Sequence, residues 1–409
     1  MLLKAAWAGL RASFHIRKHT MPEWKTHSVV SIDGLDVTVS EPVLVKRSRW
    51  FCWFPSLIRQ PNGVLWAVMS AYADIHASNS VNYLSRSRDS GLTWEEARVI
   101  GDGGLAHLIQ SDGSVVILPY YLRERASHAI GAPCNVLSPQ GVLDMRASGV
   151  EVSGWSKPTK SPLPDAGITG FVFNGQVARS IDGIYLGTLY GTFEGDSRYS
   201  LVLAESADGY RWQVRAIIAG PECDLAGGEG PCESALCRLA DGRLMCVFRL
   251  ASFVSYGQTF SADDGRTWTK PTNIAGPGSV EPSLAVLHDG IVALSGGRPG
   301  ISVWFNTDRV GAAWQEIDII AAHNAACAPR DRITPDSRTA WGTAENMRKA
   351  GITGYSSCYT ELMALDECTL LVIYDRVGYG WNPIPDDDLD ESKSVWVMRC
   401  QTSRRSLTS

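Results

Sequence analysis

Glu233, Glu281 and Tyr359 are each followed, sixteen or seventeen residues later, by a second reactive side chain: Arg249, Arg298 and Asp375. The same offset from Phe54, Gly104 and Asn174 reaches Ser70, Tyr120 and Tyr190. Across both sets stand three carboxylates, two arginines and three tyrosines. Carboxylates exchange protons, guanidinium forks hold planar anions, and such groups are rarely buried without partners or a task. Two readings stay open at this level: a ring of ion pairs lining a wet channel, or a site that binds and transforms a polar ligand.

These offsets come from an internal repeat, which supplies the elements that must position the reactive groups. Its phrase reads Phe-Pro-Ser-Leu-Ile-Arg-Gln-Pro-Asn-Gly from Phe54, Glu-Ser-Ala-Leu-Cys-Arg-Leu-Ala-Asp-Gly from Glu233 and Glu-Pro-Ser-Leu-Ala-Val-Leu-His-Asp-Gly from Glu281. Further copies open at Gly104, Asn174 and Tyr359, the last without its glycine. An Asn-Gly or Asp-Gly pair between apolar runs supplies the positive φ of a tight hairpin, so each copy predicts a strand, a turn and a second strand. The six opening residues should then converge at one end of a central channel.

A second phrase follows at the distance of a third strand. Ser87 to Trp94 and Ser261 to Trp268 both fit Ser-x-Asp-x-Gly-x-Thr-Trp; Ser206 to Trp212 is a shortened form, and Asn306 to Trp314 keeps Asp308 and Trp314. The pattern predicts a turn whose Asp and Ser bond loop amides while the Trp packs between sheets.

Composition agrees with an all-β chain rich in turns. The 409 residues are 44% hydrophobic and 20% charged, with 39 Gly and 14 Trp. A net charge of -5 without a basic block argues against a nucleic-acid partner, and no apolar run is long enough for a membrane helix. The ten Cys, without a CxxC pair, read as buried free thiols. No clustered ligand set points to a metal or other cofactor. Met1 to Pro22 is basic with a short apolar stretch and makes a poor signal peptide, so the expectation is a cytoplasmic protein. Residues 1–25 read as a disordered leader, 26–402 as one domain and 403–409 as a tail. A terminal strand near Val395 to Cys400 is expected to pair with one near Val37 to Val45.

The second phrase is the Asp box, and the chain resembles the sialidase (neuraminidase) superfamily of six-bladed β-propellers over roughly Ser40 to Arg399. The resemblance implies six four-stranded antiparallel blades, a carbohydrate partner with an acidic sugar, and a glycoside hydrolase that retains configuration through a tyrosyl intermediate. In that family a Tyr of the last blade attacks and a Glu takes its proton; Tyr359 resembles that Tyr and Glu281 that Glu. A phenol needs such a base, because its ordinary pKa is near 10. Tyr355 is the rival nucleophile by position.

Family arginines grip the substrate carboxylate. Arg298 resembles one, and Arg330, Arg332 or Arg338 is placed to supply another. Trp53 stands where the first is expected, a departure for which Arg49 or Arg249 is placed to compensate, and Asp375 falls where the family steadies that missing arginine. Glu233 and Asn174 complete the expected substrate contacts. The family's acid corresponds to Asp74, with His76 as the alternative donor; His107 reads as a satisfied inner-strand residue. Two other activities fit the departure at Trp53: a lyase acting beside a uronate, or an exo-glycosidase with Glu233 and Glu281 as its carboxylate pair. A non-catalytic glycan-binding propeller is the third reading.

Overall fold

Every side chain of the strand Leu244–Phe248 is buried. Successive residues of a strand point to opposite faces, so this run must be covered on both sides. Leu244, Cys246 and Phe248 pack with Leu186, Leu201 and Leu203 of the preceding sheet. Met245 and Val247 pack with Leu284, Val292 and Leu294 of the following one. Repeated around an axis, this double cover makes the all-β propeller. The computed structural model describes residues 23–72, 81–101, 106–124, 129–144, 149–160, 170–287, 290–336, 344–352, 354–378 and 391–405.

The described strands form six sheets, one per repeat. Their innermost strands are Trp53–Arg59, His107–Ile109, the broken pair Val172–Phe173 and Ala178–Arg179, Ser234–Arg238, Val280–Val286 and Thr360–Ala364. Each pairs antiparallel with the strand after its turn. The third sheet's break falls at Gly175, whose φ is +84° and where a Cβ would lie 1.9 Å from the Ser234 carbonyl oxygen. Only glycine fits there.

The third sheet holds a feature that the repeat does not announce. Its strand Arg211–Ala219 pairs in parallel with Gly149–Ser153, which continues through Ile130–Pro133 to Arg123–Glu124. In the last sheet, Lys393–Arg404 lies between Thr369–Arg376 and two N-terminal strands, Leu35–Ser40 and Val43–Ser48. Early and late strands of the sequence therefore share one sheet, as the sequence predicts. All ten cysteines are free thiols, seven of them buried.

The second-phrase turns are alike in their bonding. Asp263 accepts from the amides of Arg266 and Thr267 at 3.0 and 2.8 Å, and Ser261 Oγ accepts from Gly265 at 2.7 Å. Trp94, Trp212, Trp268 and Trp314 each donate Nε1–H to the carbonyl three residues earlier. A closed polar turn thus offers its indole to the space between sheets.

Near the axis, Glu361 ties three sheets together. Its Oε2 accepts from the Leu57 amide at 2.6 Å and its Oε1 from Gln176 Nε2 at 2.9 Å. Burial pushes its pKa up to about 7 against the pull of these two donors. The folded state therefore holds a proton that the unfolded state gives up near pH 4.5. The associated stability, roughly 3 kcal/mol, is fully present below pH 4.5 and is lost as pH rises to about 7. Glu361→Gln should remove that dependence, so thermal midpoints recorded from pH 4 to 8 should fall less steeply for the variant. Parallel curves for the two proteins would refute the assignment.

Candidate active site

Two innermost strands carry the same backbone irregularity at the same repeat position. Pairing slips between Trp53 and Ser56 and again between Val280 and Ser283, and within these bulges Phe54 and Glu281 take φ of +47° and +36°. A bulge re-aims the side chain it carries. Cys358, just before Tyr359, and Arg298 also have positive φ, at +66° and +84°. Of the eight described non-glycine residues with positive φ, these four lie around the axis end where the reactive side chains meet, whereas Ser90, Asp264 and Arg309 lie in the Asp- and Trp-bearing turns.

The phenol of Tyr359 donates a hydrogen bond to Glu233 Oε1. Arg249 Nη1 donates to the same carboxylate oxygen at 2.8 Å and to the Tyr359 hydroxyl at 3.3 Å. The other carboxylate oxygen of Glu233 accepts from the Glu281 amide at 2.9 Å. The tyrosine therefore meets Glu233, and the expected contact with Glu281 is corrected. Glu281 is buried instead beside Asn174, whose Nδ2 reaches its Oε2 at 3.1 Å. Burial first, and then the nearby Glu233 charge, raises the Glu281 pKa well above the usual carboxylate range.

Burial and Glu233 also raise the Tyr359 pKa well above 10, although Arg249 and Arg298 pull the other way. The phenol is thereby held in its protonated form. Burial works against the charge of Arg249, but the carboxylates beside it, Glu233 foremost, hold the guanidinium charged. Arg298 donates to Ser252 Oγ at 2.9 Å and to the Ser357 carbonyl at 2.8 Å, with its guanidinium 5.9 Å from the Tyr359 ring centre.

Trp53 and Asp375 lie beneath the site, not in its wall. Both are fully buried. Asp375 accepts from the amides of Ser357 at 2.7 Å and Phe54 at 3.1 Å, so it fastens the segment leading into Tyr359 to the first sheet. Trp53 stacks under Phe54 at 4.3 Å, and the Phe54 ring stands 4.7 Å from that of Tyr359. Lys393, buried beside Phe51 and Trp53, has its pKa lowered to about 7 by burial, against the Asp375 charge.

Among the remaining candidates, Tyr355 is core, bridged to Val377 through both backbone bonds. Arg332 is exposed and offers its carbonyl to Arg376, and Arg49 stacks on Trp50 at 5.4 Å. His107 opens the second sheet's inner strand. Asp74, His76 and Arg338 lie outside the described residues. Residues that sequence reasoning missed are Glu229, Ser252 and Ser357, all in connections outside the repeat phrase; Glu361 lies inside that phrase, two positions past its opening residue. The Gly-Gly-Glu-Gly run at 227–230 was the one available signal for Glu229.

A cavity of about 380 Å³ lies alongside, lined by Tyr120, Tyr121, Lys160, Tyr190, Thr192 and Tyr199. The hydroxyls of Tyr120 and Tyr190 are 2.8 Å apart. The Tyr199 amide donates to the Glu229 carbonyl at 2.9 Å, which links this cavity to the arginine cluster. Its size and aromatic lining suit a small ligand with ring faces and hydroxyls.

No family model and no curated protein matches the sequence. Solved structures do. A protein of unknown function from Dyadobacter fermentans superposes with a TM-score of 0.59 at 19% identity, over 91% of this chain and all of that one. The GH93 α-L-arabinofuranosidase of Fusarium graminearum, complexed with arabinobiose, gives 0.54 at 12%, over 90% and 98%. The Hadza microbial sialidase Hz136 gives 0.51 at 14%, over 87% of this chain and 66% of that one. The fold is that of the sialidase-like propellers. It is shared with glycoside hydrolases, and identities this low speak to the fold alone.

The raised phenol of Tyr359 gives a direct test. Tyrosinate absorption in an alkaline titration should be the same for wild type and Tyr359→Phe up to pH 10, the ordinary phenol value. A missing titration near that pH in the variant would show that the phenol is not held in its protonated form.

Proposed function

We propose that the protein is a retaining glycoside hydrolase that releases a terminal acidic sugar, with Tyr359 as nucleophile and Glu233 as its base. The observation that carries this reading is the Tyr359 hydroxyl bonded to Glu233, with Arg249 donating to both. A carboxylate attached at the anomeric carbon repels an attacking Asp or Glu, and a neutral phenol avoids that repulsion. Arg249 and Arg298 are the forks that would hold this carboxylate. The Asp- and Trp-bearing turns, read as Asp boxes, support the same kinship.

In the first step, the Tyr359 oxygen bonds to the anomeric carbon as the bond to the leaving oxygen breaks. The phenol proton passes to Glu233, and the leaving oxygen takes a proton from Asp74 or His76. Arg249 stabilises charge on the phenol oxygen as it develops. In the second step water attacks the same carbon, the departing phenolate recovers its proton from Glu233, and the water proton returns to the acid. Two inversions retain configuration.

A second reading rests on Phe54 and Trp53, which put aromatic rings where the first arginine is expected. There Glu233 and the buried Glu281 act as the carboxylate pair on a neutral sugar, such as the arabinose units handled by the Fusarium enzyme. A fluorinated acidic-sugar donor that traps the intermediate should label Tyr359, and Tyr359→Phe should lower kcat at least about 10³-fold, the scale of losing a covalent route. Full turnover by Tyr359→Phe, or label on Glu233, would replace the first reading by the second.

A further inference from the structure

Arg249 faces two acids. Its Nη1 is committed to Glu233 and Tyr359, on the buried side. Its Nη2 reaches Glu229 Oε1 at 3.0 Å and Oε2 at 2.9 Å. The Glu229 side chain is 37% exposed, against 7% for Glu233, so Glu229 is the partner on the solvent side. Ser252 Oγ lies 3.4 Å from Arg249 Nη2 and 2.9 Å from Arg298 Nη1. The two guanidiniums thus converge on one place, and a carboxylate of the chain itself sits at its Arg249 side.

We propose that Glu229 occupies the anion slot shared by Arg249 and Arg298 and is displaced from it by the anionic group of the substrate. The inference rests on the acidic-sugar reading given above. The loop is built for such an exchange. Arg198 holds its backbone through the carbonyls of Pro221, Cys223 and Gly227 at 3.2, 3.1 and 2.7 Å, and the Tyr199 amide holds the Glu229 carbonyl. The Glu229 side chain can leave by rotating about its own bonds while the backbone keeps these ties. Arg249 keeps Glu233 and Ser252 when Glu229 departs. One carboxylate replaces another, so the charge around the two arginines is unchanged by binding. Glu229 therefore sets specificity: a neutral ligand has no means of displacing it.

The test compares wild type with Glu229→Gln and Glu229→Ala by calorimetry, using free sialic acid and inorganic phosphate as probes, and by kinetics on an aryl glycoside of sialic acid. Both variants should bind both probes about tenfold more tightly, the order of one charge-assisted contact released. KM on the acidic glycoside should fall by a similar factor while kcat holds within about twofold. Unchanged affinities, or a fall in kcat with raised KM, would overturn the inference and make Glu229 a support for Arg249, with the acidic-sugar reading untouched. Tighter phosphate binding without sialic acid binding by any of the three proteins would uphold the slot and remove the acidic-sugar reading.

Discussion

A guanidinium withdrawn from water is tolerable only where its charge is matched on the spot, and the matching of Arg249 by Glu233 governs this end of the propeller. Neither residue has meaning alone. Removing the glutamate would strand a cation, and removing the arginine would leave an acid facing a phenol and a second buried carboxyl, that of Glu281. The remaining features are consequences of holding this pair in register. The Glu281 amide caps the far oxygen of Glu233, Asn174 caps Glu281, and Asn174 Oδ1 accepts from the Ser234 amide at 3.3 Å. Three sheets are thereby stitched through side chains that an apolar axis would not need.

The repeat made much of this legible. Asn-Gly and Asp-Gly turns at fixed offsets set the strand order, and counting from them brings Arg249, Arg298 and Tyr359 to one end. The partner of Tyr359 was not legible. Counting assumes regular strands, but the bulges at Phe54 and Glu281 turn those side chains without a glycine to mark the place. A one-residue slip inverts a side chain's facing, so ring membership survives in the sequence while pairing within the ring does not. Glu229 escaped for a different reason: it lies in a connection, where no periodicity constrains what a residue meets.

Division of labour between the two recurring phrases is visible in their chemistry. Asp89, Asp208, Asp263 and Asp308 spend their oxygens on their own turns, and their pKa values lie below the usual carboxylate value through those bonds, set against the desolvation that opposes them. Glu281, Glu361 and Asp375, buried near the axis, are shifted upward. These seven acids thus divide into structural groups held ionised by their own turns and groups near the axis on which burial favours the proton.

The shared last sheet has a consequence for how the protein comes into being. Strands Leu35–Ser40 and Val43–Ser48 are synthesised long before their partner Lys393–Arg404. Until it arrives, the early strands keep an open edge able to recruit other chains. The sheet that closes the circle also carries Tyr359's neighbour strand, Thr360–Ala364, and the Asp375 that anchors it to Phe54. A nascent chain would therefore hold five assembled sheets while the contacts of Tyr359 with Glu233 and Arg249 wait for the sixth to be completed.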